Sequence, residues 1–172
     1  LIYVIETPYT ENQHDLDLTY AYDNILQGHF PETNEGQYYH PPFNQIMFAI
    51  CIKFQMFFTN NEEVINENLQ FLTVIYSMIL IGILYKIAKE IGLKKKHIIY
   101  VLLVAAFHPT LIIFSGSLNN DNLCLMLMMW SILRTIKWYK KPNIKNIIYL
   151  AIITGLAVMT KTNGGIVAIP IL

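Results

Sequence analysis

Charged residues are scarce in this chain. Only 14% of its 172 residues are Asp, Glu, Lys or Arg, whereas 54% are hydrophobic. The hydrophobic residues form long blocks instead of recurring at the spacing of one helix face, which excludes an ordinary soluble domain. The sequence therefore predicts a protein whose solvent is the lipid bilayer.

Cysteine is also scarce, because the chain holds only Cys51 and Cys124. Both lie in apolar stretches without the spacing of a disulfide framework or a zinc ribbon, so we interpret them as small core residues. The N-terminus lacks the basic, apolar and small-residue regions of a signal peptide. Since the chain begins with Leu1 and stops inside an apolar run that starts near Ile166, we expect a fragment of a longer protein.

Lys and Arg are absent from residues 1–42. Ten of the twelve basic residues fall instead in two connections, at positions 86–96 and 134–145. Positively charged connections stay on the cytoplasmic side of a membrane, so we place these two inside and residues 1–42 outside. Eleven of the twelve acidic residues lie in the outward parts, with Glu90 the exception, which agrees with this orientation.

The apolar runs predict an all-α fold, a polytopic transmembrane helix bundle. An extracytoplasmic first loop, residues 1–67, carries two amphipathic juxtamembrane helices at about 16–27 and 43–58. The second is short and interrupted by polar residues, so it could be a thin span or an interfacial helix. We expect it to lie on the membrane, because the loops on both sides of it, residues 1–42 and 60–68, lack basic residues and are placed outside. The predicted spans are residues 68–91, 97–117, 121–138 and 145–161, with the start of another at 166–172.

Four polar clusters fall on the outer side of this topology and predict one shared site. They are residues 13–15, 38–42, 115–122 and 160–165. In the first, His14 stands beside Asp15. A carboxylate there can deprotonate an acceptor hydroxyl or bind a divalent cation that neutralises a phosphate leaving group. The alternative is that Asp15 only caps a helix starting near Leu16.

The second cluster, Tyr39-His40-Pro41-Pro42, has a rigid extended backbone because each proline fixes its own φ and restricts the residue before it. His40 is thus presented in one orientation. The alternative is a loop that turns the chain into the next helix, with the tyrosines as membrane-interface residues.

The third cluster follows His108-Pro109, where the proline is expected to kink a span, and contains Asn120 and Asp121. Asp121 is a functional candidate because it lies at the membrane edge, or else only a favourable partner of a helix dipole.

The fourth cluster places Lys161 on a side that otherwise avoids basic residues, before Gly164-Gly165. An ammonium and free backbone N–H groups can bind a phosphate together. The alternative is that Lys161 only snorkels to the interface.

In their order, these motifs and the run 155–161 resemble the GT-C glycosyltransferases, and nearly the whole chain is covered. The branch that they are most similar to is family 39, the protein O-mannosyltransferases, with the bacterial aminoarabinose transferases of lipid A. The resemblance implies an inverting transfer of a hexose or pentose from a polyprenyl-phosphate donor to an extracytoplasmic glycan, lipid or protein acceptor. It also implies contact with membrane lipids, no nucleic-acid partner, and a bacterial plasma membrane with the site facing outward.

By position, the resemblance assigns catalytic roles to Asp15 and Asp121, with His14 beside the former, and makes the same two carboxylates the expected ligands of a divalent metal. The expected substrate-binding residues are Tyr39, His40, Asn120 and Lys161. Protein mannosyltransferases have an Asp-Glu pair in the first loop, whereas here Leu16 follows Asp15, so the resemblance does not specify mannose or a protein acceptor. A transporter and a non-catalytic membrane subunit are the alternative functions.

Overall fold

The computed structural model describes residues 2–10, 18, 20–29 and 41–171. Every element in these ranges is helical, so the predicted all-α class is confirmed. The elements follow in order as α1 (Ile2–Glu6), a π-helical turn (Tyr20–Asn24), a 3-10 turn (Ile25–Gln27), α2 (Phe43–Gln55), α3 (Glu62–Glu90), α4 (Lys95–Phe107), α5 (Pro109–Gly116), α6 (Asp121–Lys140), α7 (Ile144–Thr160) and a 3-10 segment (Thr162–Ile171).

The first loop differs from the single amphipathic helix predicted over 16–27. Residues 20–27 form a π turn followed by a 3-10 turn, which ends at Gly28 with a positive φ of 85°. Only glycine adopts that backbone conformation without strain. The turns bury Ala21 and Asn24, and Tyr22 bonds to α3, so tertiary contacts shape this segment more than its helical periodicity does.

Helix α3 is the longest element and begins at Glu62, because the side chain of Asn61 caps it. The Asn61 Oδ1 atom accepts hydrogen bonds from the backbone N–H of Glu63 at 3.0 Å and of Val64 at 3.3 Å. The carboxylates of Glu62 and Glu63 then lie in the first turn, where the helix dipole favours negative charge. Its 29 residues span about 43 Å at the usual rise per residue, more than a hydrocarbon core.

The proline kink predicted in the next apolar run is present as a break between α4 and α5, which are bent by 56°. His108 has an extended backbone there, since the residue before a proline is driven out of the helical region. Pro109 opens α5 at a position where its missing N–H costs nothing.

Within the described ranges, α3 is the one helix that is long and apolar enough by itself to cross a membrane. If the bent helices α4 and α5 together form one span, they are the second. Helix α7 is apolar but shorter. The four crossings of the predicted polytopic bundle therefore stay a prediction, as does the placement of α2 on the membrane surface.

Two apolar clusters organise the packing. The outer cluster joins the first loop, α2, the start of α3 and the α5–α6 connection, and comprises Leu18, Ala21, Phe48, Ala49, Ile52, Ile65, Leu69 and Leu118. The bundle core lies along α3, α6 and α7, and includes Tyr76, Leu80, Ile83, Leu123, Met126, Leu127, Leu133, Ile153 and Ala157. The polar segment between α5 and α6 lies where these two clusters meet, because Leu118 belongs to one and Leu123 to the other.

Candidate functional site

The start of α6 is fixed by the asparagine that precedes it by two residues. The Asn119 Oδ1 atom accepts hydrogen bonds from the backbone N–H of Asp121 at 3.1 Å and of Asn122 at 3.3 Å. Satisfying these otherwise unpaired amides holds Asp121 at the positive end of the helix dipole.

Asn122 joins α6 to two other helices. Its fully buried amide nitrogen donates to the Thr73 carbonyl at 2.7 Å and to the Phe114 carbonyl at 3.2 Å, and it also contacts the Ser77 hydroxyl at 2.9 Å. One side chain thus connects α3, α5 and α6. In a low-dielectric interior such fully paired polar groups hold helices in one register.

Asp121 and Lys161 form an ion pair, although they lie 40 residues apart in sequence. The Lys161 Nζ atom lies 2.6 Å from the Asp121 Oδ1 atom, and the two side chains are only 23% and 30% exposed. Lys161 reaches this position from the C-terminus of α7, where its N–H donates to the Ala157 carbonyl. The structure therefore brings two of the predicted site residues together and gives the lysine a specific partner, which snorkelling alone does not require.

Gly164 does not provide the free amide that the sequence suggested. Its N–H donates to the Lys161 carbonyl at 2.7 Å, so this part of the predicted phosphate cradle is wrong. A Cβ on Gly164 would lie 2.4 Å from the Ala157 carbonyl oxygen, far inside van der Waals contact. The glycine is required because the 3-10 segment folds back against the backbone of α7.

Three buried amide side chains, one next to Asp121 and two at the start of α2, have polar atoms without hydrogen-bond partners in the described part of the chain. Asn120, next to Asp121, is fully buried with both side-chain polar atoms unpaired. Asn44 and Gln45, at the start of α2, have one and two unpaired atoms respectively. Asn44 approaches this segment directly, since its Nδ2 atom donates to the Asn119 carbonyl at 3.4 Å. Buried polar groups are normally paired, so unpaired amides at one place favour a binding site.

Sequence reasoning identified Asn120 but missed Asn44 and Gln45. Gln45 was interpreted only as one of the polar residues that interrupt this apolar run, and no role was predicted for Asn44. The signal that the sequence offered was their position, because these two adjacent amides follow Pro41-Pro42 in the first turn of a helix.

Four predicted site residues, His14, Asp15, Tyr39 and His40, lie outside the described residues. Their described flanks lie at the same end of the molecule as Asp121. The Tyr9 N–H donates to the Glu67 carboxylate at 3.2 Å, and Leu18 packs in the outer cluster. The metal prediction depends on Asp15 and is likewise untested; among the described residues, no group of three or more His, Cys, Asp and Glu side chains is arranged to hold an ion.

His108, which precedes the third predicted cluster, is exposed at the α4–α5 break. Its motif therefore shapes the bent helix pair and adds no group to the ion pair.

The family model described as dolichyl-phosphate-mannose-protein mannosyltransferase matches residues 40–172. This range contains the amides at the start of α2 and both members of the ion pair, whereas Asp15 precedes it. No curated protein and no solved structure matches the chain.

Proposed function

This chain belongs to the dolichyl-phosphate-mannose-protein mannosyltransferase family, and we propose that it transfers a hexose or pentose from a polyprenyl-phosphate donor to an extracytoplasmic acceptor. It is a membrane glycosyltransferase of the GT-C type. The observation that best supports a site at this end is the Asp121–Lys161 pair beside buried, unpaired amides.

In the proposed reaction, an acceptor hydroxyl oxygen attacks the anomeric carbon of the sugar. The bond from that carbon to the donor phosphate oxygen breaks, polyprenyl phosphate leaves, and the configuration at the anomeric carbon inverts. Asp15 accepts the proton of the hydroxyl, which makes the oxygen a better nucleophile as the bond forms. A divalent cation at Asp15 and Asp121 would neutralise the leaving phosphate.

Lys161 is proposed to bind the donor phosphate while Asp121 orients its ammonium. An ammonium has three N–H donors, so one contact with Asp121 leaves two for phosphate oxygens. The attraction between the Lys161 ammonium and the donor phosphate is strong, because both lie in a region of intermediate dielectric. The amides of Asn44, Gln45 and Asn120 are proposed to bind sugar hydroxyls, a role that would pair the buried atoms that have no partner among the described residues.

The polyprenyl chain is proposed to occupy an apolar groove between α3 and the bent α4–α5 pair. This groove has a volume of about 530 Å³, and its wall includes Met78, Ile81 and Phe107. Ser77 and Ser115 also line it. Because Ser77 lines the groove and bonds to Asn122, the wall of the groove adjoins the first turn of α6.

The test uses the full-length protein and measures release of polyprenyl phosphate from labelled polyprenyl-phosphate sugars. Asp15→Asn should lower turnover at least about a hundredfold, the scale of losing a positioned proton acceptor. Asp17→Asn is the matched control and should stay active. Near-normal turnover of Asp15→Asn would make Asp15 a helix cap, and no turnover by the wild type across a broad donor panel would favour transport.

Measurements of donor affinity distinguish two roles of Lys161, binding of the donor phosphate and neutralisation of Asp121 alone. Lys161→Met should weaken donor binding but leave acceptor binding unchanged, and Lys161→Arg should be partly tolerated because it keeps the charge. The decisive variant combines Lys161→Met with Asp121→Asn, so that neither charge is left unpaired. If this double variant regains wild-type donor affinity, Lys161 serves Asp121 alone and the phosphate is held elsewhere.

A further inference from the structure

A second cavity, which is partly lined by charged residues, lies at the opposite end of α3 and α6 from the ion pair. It is a groove of about 300 Å³ between the two helices. Three cations line it, Lys86 from α3 and Arg134 and Lys137 from α6. This end carries the two basic connections, which the positive-inside rule assigns to the cytoplasm.

After position 67, the chain holds too little negative charge to neutralise this groove. Glu90 and Asp121 are the only acidic residues after position 67, and Asp121 is paired with Lys161 at the other end. Glu90 binds mainly Lys140, at 3.0 Å, and lies 3.9 Å from Lys137. No ion pair with Lys86 or Arg134 is seen in the described part of the chain, so the groove has an excess of positive charge.

Arg134 is oriented by an aromatic ring. The centre of its guanidinium lies 4.9 Å from the centroid of Tyr149, at cation–π distance. Its Nε atom is buried and without a hydrogen-bond partner among the described residues. A guanidinium presents its donors as a planar fork that matches two oxygens of a phosphate group.

The rest of the groove is apolar, which distinguishes it from a site for a soluble anion. Ile79, Ile83 and Leu133 line it, together with Trp130, an aromatic type that is common at membrane interfaces. Gly82 also lines the groove, and a Cβ added to it would meet nothing within 4 Å, so the surface there is open. Hydrocarbon chains fit such a wall, whereas inorganic phosphate gains nothing from it.

We propose that this groove binds an anionic glycerophospholipid, with its phosphodiester held by Arg134, Lys86 and Lys137 and its acyl chains against the apolar wall. Basic pockets between membrane helices at the cytoplasmic face bind such headgroups. The lipid joins α3 to α6 at the end away from the sugar site. The site is independent of glycosyl transfer, and its test needs no turnover.

The experiment titrates delipidated full-length protein with phosphatidylglycerol in mixed micelles and counts bound lipid by native mass spectrometry. Arg134→Gln and Lys86→Gln should each raise the dissociation constant about tenfold or more, because each removes one charge-assisted contact. Lys95→Gln and Lys145→Gln are matched controls with the same charge change on exposed residues outside the groove, and should change it less than about twofold.

Arg134→Lys is the second variant, in case Arg134→Gln misfolds. It keeps the positive charge but loses the planar fork of the guanidinium, so we expect an affinity for phosphatidylglycerol between those of the wild type and Arg134→Gln. Equal weakening by groove and control variants would overturn the site in favour of diffuse attraction to basic connections. Equal binding of phosphatidylcholine would also overturn it. Displacement of phosphatidylglycerol by millimolar inorganic phosphate would identify a free-phosphate site instead of a lipid site.

Discussion

Tyr22 fastens the first loop to α3 through one hydrogen bond. Its hydroxyl donates to the Asn66 Oδ1 atom at 2.8 Å. Burial raises the pKa of Tyr22 to about 12, with smaller contributions from the charges of Glu62 and Tyr9. The folded protein thus favours the neutral hydroxyl that this bond requires.

Because the folded pKa of Tyr22 lies above its unfolded value of about 10, the stability linked to this residue is complete below about pH 10. It is lost as the pH rises towards 12. Tyr22→Phe should lower the free energy of unfolding by about 1 kcal/mol at pH 8 and reduce the alkaline loss of stability. Thermal unfolding at several pH values measures both effects. Tyr139→Phe, at an 81% exposed position, is the control, and an unchanged alkaline slope in Tyr22→Phe would contradict the assignment.

The Asp121–Lys161 ion pair shows how much of the site could be predicted from single residues in the sequence. Lys161 was recognisable because a basic residue is unusual on the outer side, and Asp121 because it is a charged residue at the membrane edge. Their mutual contact was not predictable, since it depends on how α6 packs against α7, and no local pattern contains that information. The roles of Asn44 and Gln45 were hidden for the same reason, because α2 approaches the Asn119 carbonyl only in the folded chain.

Asn122 controls how three helices fit together. Asn122→Ala removes its bonds to the Thr73 and Phe114 carbonyls and leaves a polar position unfilled in the bundle. We expect the free energy of unfolding to fall by about 1–3 kcal/mol. Denaturation in detergent measures this change, and Asn68→Ala, on the exposed face of α3, is the matched control. Equal stability of the two variants would mean that α5 is not held through Asn122.

Gly164 and Gly165 provide a neighbouring pair with opposite expectations. A Cβ at position 164 would lie 2.4 Å from the α7 backbone, whereas one at position 165 would meet only the Val158 Cγ2 atom at 3.6 Å. Gly164→Ala should therefore destabilise the protein and displace Lys161, which weakens donor binding. Gly165→Ala should leave both properties near wild type. If the two variants have the same melting temperature, the 3-10 segment does not pack against α7 as described.

Among the elements, the break between α4 and α5 was predictable from the sequence, whereas the type of helical turn in the first loop was not. Pro109 marked the α4–α5 break, because proline restricts the residue before it whatever surrounds it. Residues 20–27 were predicted to belong to one α-helix, because their apolar residues have helical spacing. Burial of Ala21 and the hydrogen bond from Tyr22 instead favour a wider π turn followed by a tighter 3-10 turn. Local chemistry predicted the first feature, and tertiary contacts determine the second.

For the whole molecule, orientation in the membrane follows from charge and not from packing. Ten of the twelve basic residues lie in two connections, so labelling from outside should distinguish the two ends of the bundle. In a background with Cys51→Ala and Cys124→Ala, single cysteines at Glu63 and Asn163 should react with an impermeant thiol reagent in intact cells. A cysteine at Lys95 should react only after the membrane is permeabilised.

All three positions are exposed, so a difference in labelling reports the side of the membrane and not burial. Ser117 is unsuitable although it lies at the predicted outer end, because it is only 3% exposed and would stay unlabelled on either side. Labelling of Lys95→Cys in intact cells would mean that the orientation is the inverse of the one assigned here. The Asp121–Lys161 site would then face the cytoplasm, where an extracytoplasmic acceptor is absent, and the basic groove would face the outer leaflet. Both proposals depend on orientation in opposite ways, so this one measurement bears on each of them.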